Sequence, residues 1–384
     1  MIMRNSEEKR LQRVVAYTSA TLFALFTFFY VVVYQSPLME AFYDYIATGK
    51  LEYNEYVVAG ILTAALTLLA LWLNRFARFQ REWTAMAYLP SALILAFITD
   101  IDRSVYTGGG SWLGWSVIFI VGLLVYVSLA FVLQRVLFEK IKSLAMSANR
   151  VIWRNIIILT LQFALVGTLS NGEENFKREA LVVSYNKDGE VEKALSVGYK
   201  SLDASQQLTA IRAYVMAANG LLGERVFEYP QLYGSAGLLL DVTQTSPFVP
   251  DTLYSLFGEK PSDGESVSDF LSRVAHKDSV PSVVKEYYLT SLLLDKHIML
   301  FKNELDRMLG VYDPDSLPKH FREALVLYSD IDTLYNIPLS SDTLFQELDS
   351  LRRVELKYDD PVVRGNYVRK EFGRTYWWYF LYGN

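Results

Sequence analysis

Val14–Tyr34 reads VVAYTSATLFALFTFFYVVVY, twenty-one residues without a charge. A helix crosses the hydrocarbon of a bilayer with about 20 apolar residues, and it bonds every peptide group internally. The stretch therefore predicts a transmembrane helix. Its apolar run is too long for a signal peptide, and no small-x-small cleavage pattern follows before Tyr34-Gln35-Ser36-Pro37. An uncleaved anchor is expected.

Four more stretches follow: Tyr56–Leu73, Thr84–Thr99, Trp112–Leu133 and Val151–Leu169. The third is the weakest, because it is short and holds Pro90, which would kink a helix. The Lys and Arg residues between the stretches decide its status. Arg4, Lys9, Arg10 and Arg13 precede the first stretch, and only Lys50 lies in the loop after it. Arg75, Arg78 and Arg81 come next, then Arg103 alone, then Arg135, Lys140, Lys142 and Arg150. Such alternation marks cytoplasmic and external loops. It supports the third span and predicts a cytoplasmic N-terminus. Five crossings then place residues 171–384 outside, in the periplasm of a diderm bacterium, with the chain a multi-pass protein of the inner membrane. Trp112 and Trp115 at the outer end of one span, and Trp83 at the inner end of another, suit aromatic belts.

Composition divides at the same place. Residues 1–170 carry 14 Lys/Arg and 10 Asp/Glu, and residues 171–384 carry 23 and 32, so the halves are net +4 and −9. Neither has the concentrated basic face that nucleic acid calls for. The chain has no cysteine, which excludes disulfides, thiolate nucleophiles and cysteine metal sites. Thr107-Gly108-Gly109-Gly110-Ser111 lacks the Lys of a phosphate loop and reads as a turn, so no nucleotide is expected. No Asp, Glu, Lys or His lies in the middle of a span, which disfavours an ion-coupled transporter. Gln162 reads as a residue that joins helices.

Residues 171–384 read as helices. Apolar spacing predicts Asn175–Asn186, Val191–Lys200, Ala204–Asn219 stopped by Gly220, a pair Pro281–Asp295 and His297–Leu309, and a helix from Pro318. Pro and Gly punctuate residues 229–270, which predicts an irregular insertion with short helices. The fold class expected is all-α: a five-helix transmembrane bundle (1–170), then an extracytoplasmic α-solenoid-like domain (171–384). The spacing of Tyr185 and Ala194, with Gly189 between them, and the group Phe321, Ala324 and Leu325 after Pro318 resemble tetratricopeptide repeats. The layout is similar to an uncharacterised family of multi-pass inner-membrane proteins of Bacteroidota with a helical-repeat C-terminal part. Phe28–Ala41, Ala213–Pro230 and Thr375–Tyr382 carry that resemblance, although this chain has fewer spans. The resemblance implies no activity and no functional residues.

Chemistry-bearing positions are sparse. His276, His297 and His320 are far apart and form no zinc spacing, so neither a metal nor a cofactor is expected. Glu40 and Asp44, with Asp100 and Asp102, fall in the outer loops, where a glycosyltransferase using lipid-linked sugars places carboxylates. The same residues equally mark helix ends leaving lipid. The tail 352–384 combines Arg369, Lys370 and Arg374 with Tyr376, Trp377, Trp378 and Tyr379. It suits a lipid headgroup layer or a protein partner, or else a cap over the end of the solenoid. The leading functional expectation is a membrane-anchored scaffold or assembly factor that offers its helical domain to an envelope protein. An envelope-glycan enzyme and a transporter component are the alternatives.

Overall fold

A computed structural model describes residues 2–47, 53–77, 79–106, 112–135, 147–170, 173–199, 201, 203–240, 248, 252–332, 335, 337, 339 and 342–383. Every element among them is helical. The chain forms two compact units, Met1–Lys177 and Arg178–Asn384. The glycine-rich stretch Thr107–Ser111 and most of the fourth basic loop lie outside the described residues.

In the first unit, α1 (Ile2–Phe29) runs through a π-helical turn (Tyr30–Gln35) into α2 (Ser36–Ala47). The expected first loop, 35–55, is thus helical as far as Ala47. Then come α3 (Glu55–Ala77), a 3-10 helix (Arg81–Tyr88) that passes into α4 (Leu89–Thr99), the short α5 (Arg103–Tyr106), α6 (Trp112–Arg135) and α7 (Ala148–Leu169). Four stretches are long and apolar enough to cross a membrane: Arg10–Ile46, Glu55–Ala77, Arg81–Thr99 and Ala148–Leu169. Within α6, the stretch Gly114–Ser128 is a shorter apolar helix. Val57, Ile61, Leu68, Trp72 and Phe76 are exposed along α3, which suits a lipid-facing stripe and is compatible with a membrane protein.

The doubtful third stretch is the most enclosed one. In Arg81–Thr99, 61% of the apolar window is buried, against 28% or less in the other three. Pro90 stands in the first turn of α4, where its missing N–H is harmless, and the residues before it adopt 3-10 geometry. A 3-10 segment offers its backbone groups poorer internal bonds. Helix α7 supplies replacements. Asn155 Oδ1 accepts the Ala85 N–H at 2.8 Å, and its Nδ2 donates to the carbonyls of Arg81 (2.8 Å) and Val151 (2.9 Å). Gln162 Nε2 donates to the Ala85 carbonyl at 3.0 Å. From α4, Ser91 Oγ donates to the Leu66 carbonyl at 2.9 Å. Buried polar side chains here bond the irregular backbone, as the apolar interior demands.

The second unit holds α8 (Glu174–Lys187, entering from the first unit), α9 (Val191–Ser196), α10 (Gln206–Ala218) and α11 (Leu222–Arg225). Ser205 caps α10 by accepting the Leu208 N–H at 3.0 Å, and Gly220 follows it at φ +66°, a left-handed stop. The segment 229–270 carries a 3-10 turn (Gly234–Leu238), α12 (Thr252–Phe257) and the start of α13 (Val267–Ala275). Next are α14 (Ser282–Leu294), α15 (Ile298–Leu309), α16 (Lys319–Ile331), α17 (Thr343–Lys357), α18 (Pro361–Phe372) and α19 (Tyr376–Tyr382). From α13 to α19 each helix packs on the next, while α11 lies against α14 and α16, and α19 returns to α16. Helix α14 is the central element, with Tyr287 to Leu294 all buried.

Gly223 lets α11 approach α16 closely: a Cβ there would lie 2.7 Å from Pro318 Cβ. Its N–H donates to Glu286 Oε1 at 2.7 Å. Burial raises the Glu286 carboxyl above the usual glutamate value, with the Gly223 N–H opposing and Glu224 adding to the rise. The folded state thus holds this proton more tightly than the unfolded one, so stability falls as pH rises from 4.5 through the folded value. Glu286→Gln keeps the acceptor oxygen and removes the charge. It is expected to raise the melting temperature at neutral pH and to match the wild type below pH 4.5. Thermal melts of both proteins across that range check this, and an equal difference at all pH values would refute it.

Candidate partner and ligand surfaces

The aromatic end of the chain folds inward. Tyr376 and Trp377 are fully buried and Tyr379 nearly so. Thr375 caps α19 by accepting the Trp378 N–H at 3.2 Å. Glu323 on α16 receives it: Oε2 accepts the Tyr376 N–H at 2.7 Å, and the Glu323 carbonyl accepts Trp377 Nε1 at 2.8 Å. The same Oε2 lies 2.8 Å from His320 Nδ1, both side chains being wholly buried. Tyr379 OH donates to the Leu294 carbonyl at 2.6 Å, and the rings of His320, Tyr376 and Tyr379 surround Phe227. Tyr376, Trp377 and Tyr379 are therefore interior residues and cannot touch a partner or headgroup while the unit is folded. Nearly all their surface is taken by α16, α14 and Phe227. Trp378 is half-buried and stacks on Tyr382 at 4.8 Å.

Arg369 and Lys370 remain exposed on α18. What faces solvent with them is the tip of the α17–α18 hairpin. Leu356 is 86% exposed and Val362 73%, with Val363 also open. Tyr358 stacks on Tyr367 at 4.3 Å, and Lys357 Nζ lies 5.5 Å from the Tyr358 ring. Arg353 is exposed one turn before Lys357. Arg353 and Lys357 lie on α17 beside this tip, and the carboxylates Asp359 and Asp360 are exposed in the turn itself.

Of the four carboxylates expected in outer loops, Asp100 and Asp102 have partners at helix ends. Asp100 accepts Trp115 Nε1 at 2.6 Å, which ties the end of α4 to α6. Asp102 accepts the Ser104 N–H at 2.9 Å and its hydroxyl at 2.5 Å, starting α5. Glu40 and Asp44 stand on α2, four residues apart. Among the described residues no three His, Asp or Glu side chains are gathered where they could hold a metal ion.

A third feature is an open cleft of about 590 Å³ lined by Arg178, Glu192, Ser196, Gly198, Tyr199 and Arg225, with Leu195 and Ser201. Arg225 bonds Glu192 at 2.7 Å and Glu228 at 3.1 Å. Arg374 lies 5.0 Å from the Tyr199 ring. Arg178 Nη1 donates to Ser201 Oγ at 2.7 Å.

Residues 262–383 match a family of unknown function, DUF6057. The match runs from just before α13 through α19, so it includes the buried Glu323 and the hairpin tip. No curated protein matches the chain, and no solved structure does.

The sequence pointed to the tail but not to its receptor. The spacing of His320 and Glu323 on one helix face was available as a signal. The arginine cleft had none, because its residues are spread from 178 to 374.

Proposed function

We propose that the chain is a membrane-anchored scaffold whose helical domain docks an envelope protein through the α17–α18 tip. The observation that carries this reading is the tip itself. Leu356, Val362 and Val363 are held in solvent by a hairpin whose neighbour, α19, is locked into the core. A rigid mount under an apolar cluster is what a docking surface needs, since little ordering opposes binding. Arg353 and Lys357 beside the tip, with Asp359 and Asp360 in its turn, fit an apolar partner segment that carries charges of both signs next to it. The consecutive packing of α13 to α19 supports a solenoid of tetratricopeptide-like pairs.

The membrane part supplies the anchor. Helix α6 has 24 residues, which supports a fifth span beside the four other apolar stretches. The alternating Lys/Arg loops support a cytoplasmic N-terminus and a periplasmic second unit. An envelope-glycan enzyme is less well supported, because Asp100 and Asp102 are engaged at helix ends. Transport is also less well supported, since Asn155 and Gln162 are used by the backbone.

Two measurements test the reading. A reporter active only outside the cytoplasm, fused after Asn384, is expected to be active. A photocrosslinker at Leu356 or Val362, in cells, is expected to give one protein adduct of discrete mass, lost when Val363→Asp is added. Adducts to lipid alone, or none, would remove the docking role.

A further inference from the structure

Arg212 on α10 is the most unusual buried group in the second unit. It is 2% exposed, and its Nε has no hydrogen-bond partner. Its Nη2 donates to the Val197 carbonyl at 2.5 Å. The groups acting on it electrostatically are the Tyr229 phenol and a second cation, Arg178, with no carboxylate among them. Burial draws its pKa down to about 10, so it stays charged at neutral pH. A buried charge without a counter-ion is costly, and folds that keep one generally supply an anion.

The floor of the cleft lies beside it. Gly198 has φ +59° and no side chain, and a Cβ there would fall 2.9 Å from Arg212 Nη2 and 3.1 Å from Arg178 Cδ. Two guanidinium groups thus flank the one position in the floor where the backbone is bare. Arg178, Ser201 and Arg225 line the same cleft, and Arg374 stands against Tyr199 in its wall. The volume, about 590 Å³, admits a group much larger than one ion.

We propose that this cleft binds a phosphate group, seated over Gly198, with Arg178 and the Ser201 hydroxyl as direct ligands. Arg374 is the rim cation, Arg225 is paired with the cleft residue Glu192 and with Glu228, and Arg212 is a fixed positive charge beneath the floor. Guanidinium groups bind phosphate oxygens in pairs, and the bonds are charge-assisted. The phosphate could belong to a soluble phosphomonoester or to a lipid headgroup. The site is independent of the hairpin tip, so either can fail alone.

The test uses the full chain purified in a neutral detergent at physiological salt. Inorganic phosphate is titrated while the melting temperature is followed. In a second arm, the chain is reconstituted in nanodiscs with and without phosphatidic acid. Saturable stabilisation by inorganic phosphate supports a soluble ligand, and stabilisation by phosphatidic acid alone supports a headgroup. Arg178→Lys keeps the charge and the fold but loses the paired geometry, and it is expected to weaken the effect about tenfold. Arg212→Met removes the unpaired charge. It is expected to melt no lower than wild type without phosphate and to lose most of the response to it. A role confined to structure would lower its melting temperature and leave the response intact. That result, or no saturable response in either arm, would overturn the site.

Discussion

Trp377→Ala is expected to unfold the second unit at a temperature roughly 10 °C below wild type, from a loss of about 4 kcal/mol. Trp377 is completely buried, and its indole N–H is bonded to the Glu323 carbonyl at 2.8 Å. Truncation leaves a cavity between α16 and α19 and strands that carbonyl. The neighbouring Trp378→Ala is the control, since its ring is half-buried and stacks only on Tyr382. It should cost about 1 kcal/mol, the worth of an aromatic pair and a little area. Thermal melts of the full chain, with limited proteolysis to follow the second unit, separate the two. Equal behaviour would mean that α19 does not seal the core.

Asn155→Leu is expected to destabilise the first unit by about 3 kcal/mol. The asparagine is 2% exposed and makes three bonds, two of them to the backbone of the Arg81–Tyr88 segment. Leucine has nearly the same volume, so packing survives while the Ala85 N–H and the Arg81 carbonyl lose a partner. Side-chain bonds inside bilayers average only about 0.6 kcal/mol, because the alternative state finds substitutes. The effect here should be larger, since 3-10 backbone has fewer substitutes within reach. Thr160→Ala is the comparison: that hydroxyl only bonds back to the Ile156 carbonyl on its own helix. Titration of the detergent-solubilised protein with a denaturing detergent, read through tryptophan fluorescence, measures both. If the two variants denature together, the polar clamp contributes nothing.

Helix positions in the chain were largely legible because they depend on local rules. Ala204–Asn219 was expected from period and stop signal, and Gln206–Ala218 is helical with Ser205 as cap and Gly220 left-handed. The pair around Asp295-Lys296 breaks there, with Lys296 at φ +59°. Thr84–Thr99 shows the limit of hydropathy. Its short apolar run and Pro90 made it look marginal, yet the 3-10 turn lets it sit inside the unit, bonded by Asn155 and Gln162. That rescue depends on residues about 70 positions away, which no window detects. For the tail, the sequence leaves a surface motif and an inward cap both open, and only a distant residue decides between them. Aromatic residues beside cations look like a surface motif until Glu323, 53 residues earlier, is known to receive them. The loop expected after the first apolar stretch is helical as far as Ala47, because a π-helical turn carries the helix past Tyr34.

The inward seat of α19 has a consequence for biosynthesis. Its contacts reach back to Glu323, Leu294 and Phe227, so the interior of the second unit is closed by a segment made after all three of them. A nascent chain that stops before Tyr376 carries Phe227, His320 and the upper surface of α16 without cover. Contacts of such long range form slowly. The half-finished unit would offer greasy surface to proteases and chaperones until synthesis passes Tyr379, so truncated products should be cleared rather than accumulate.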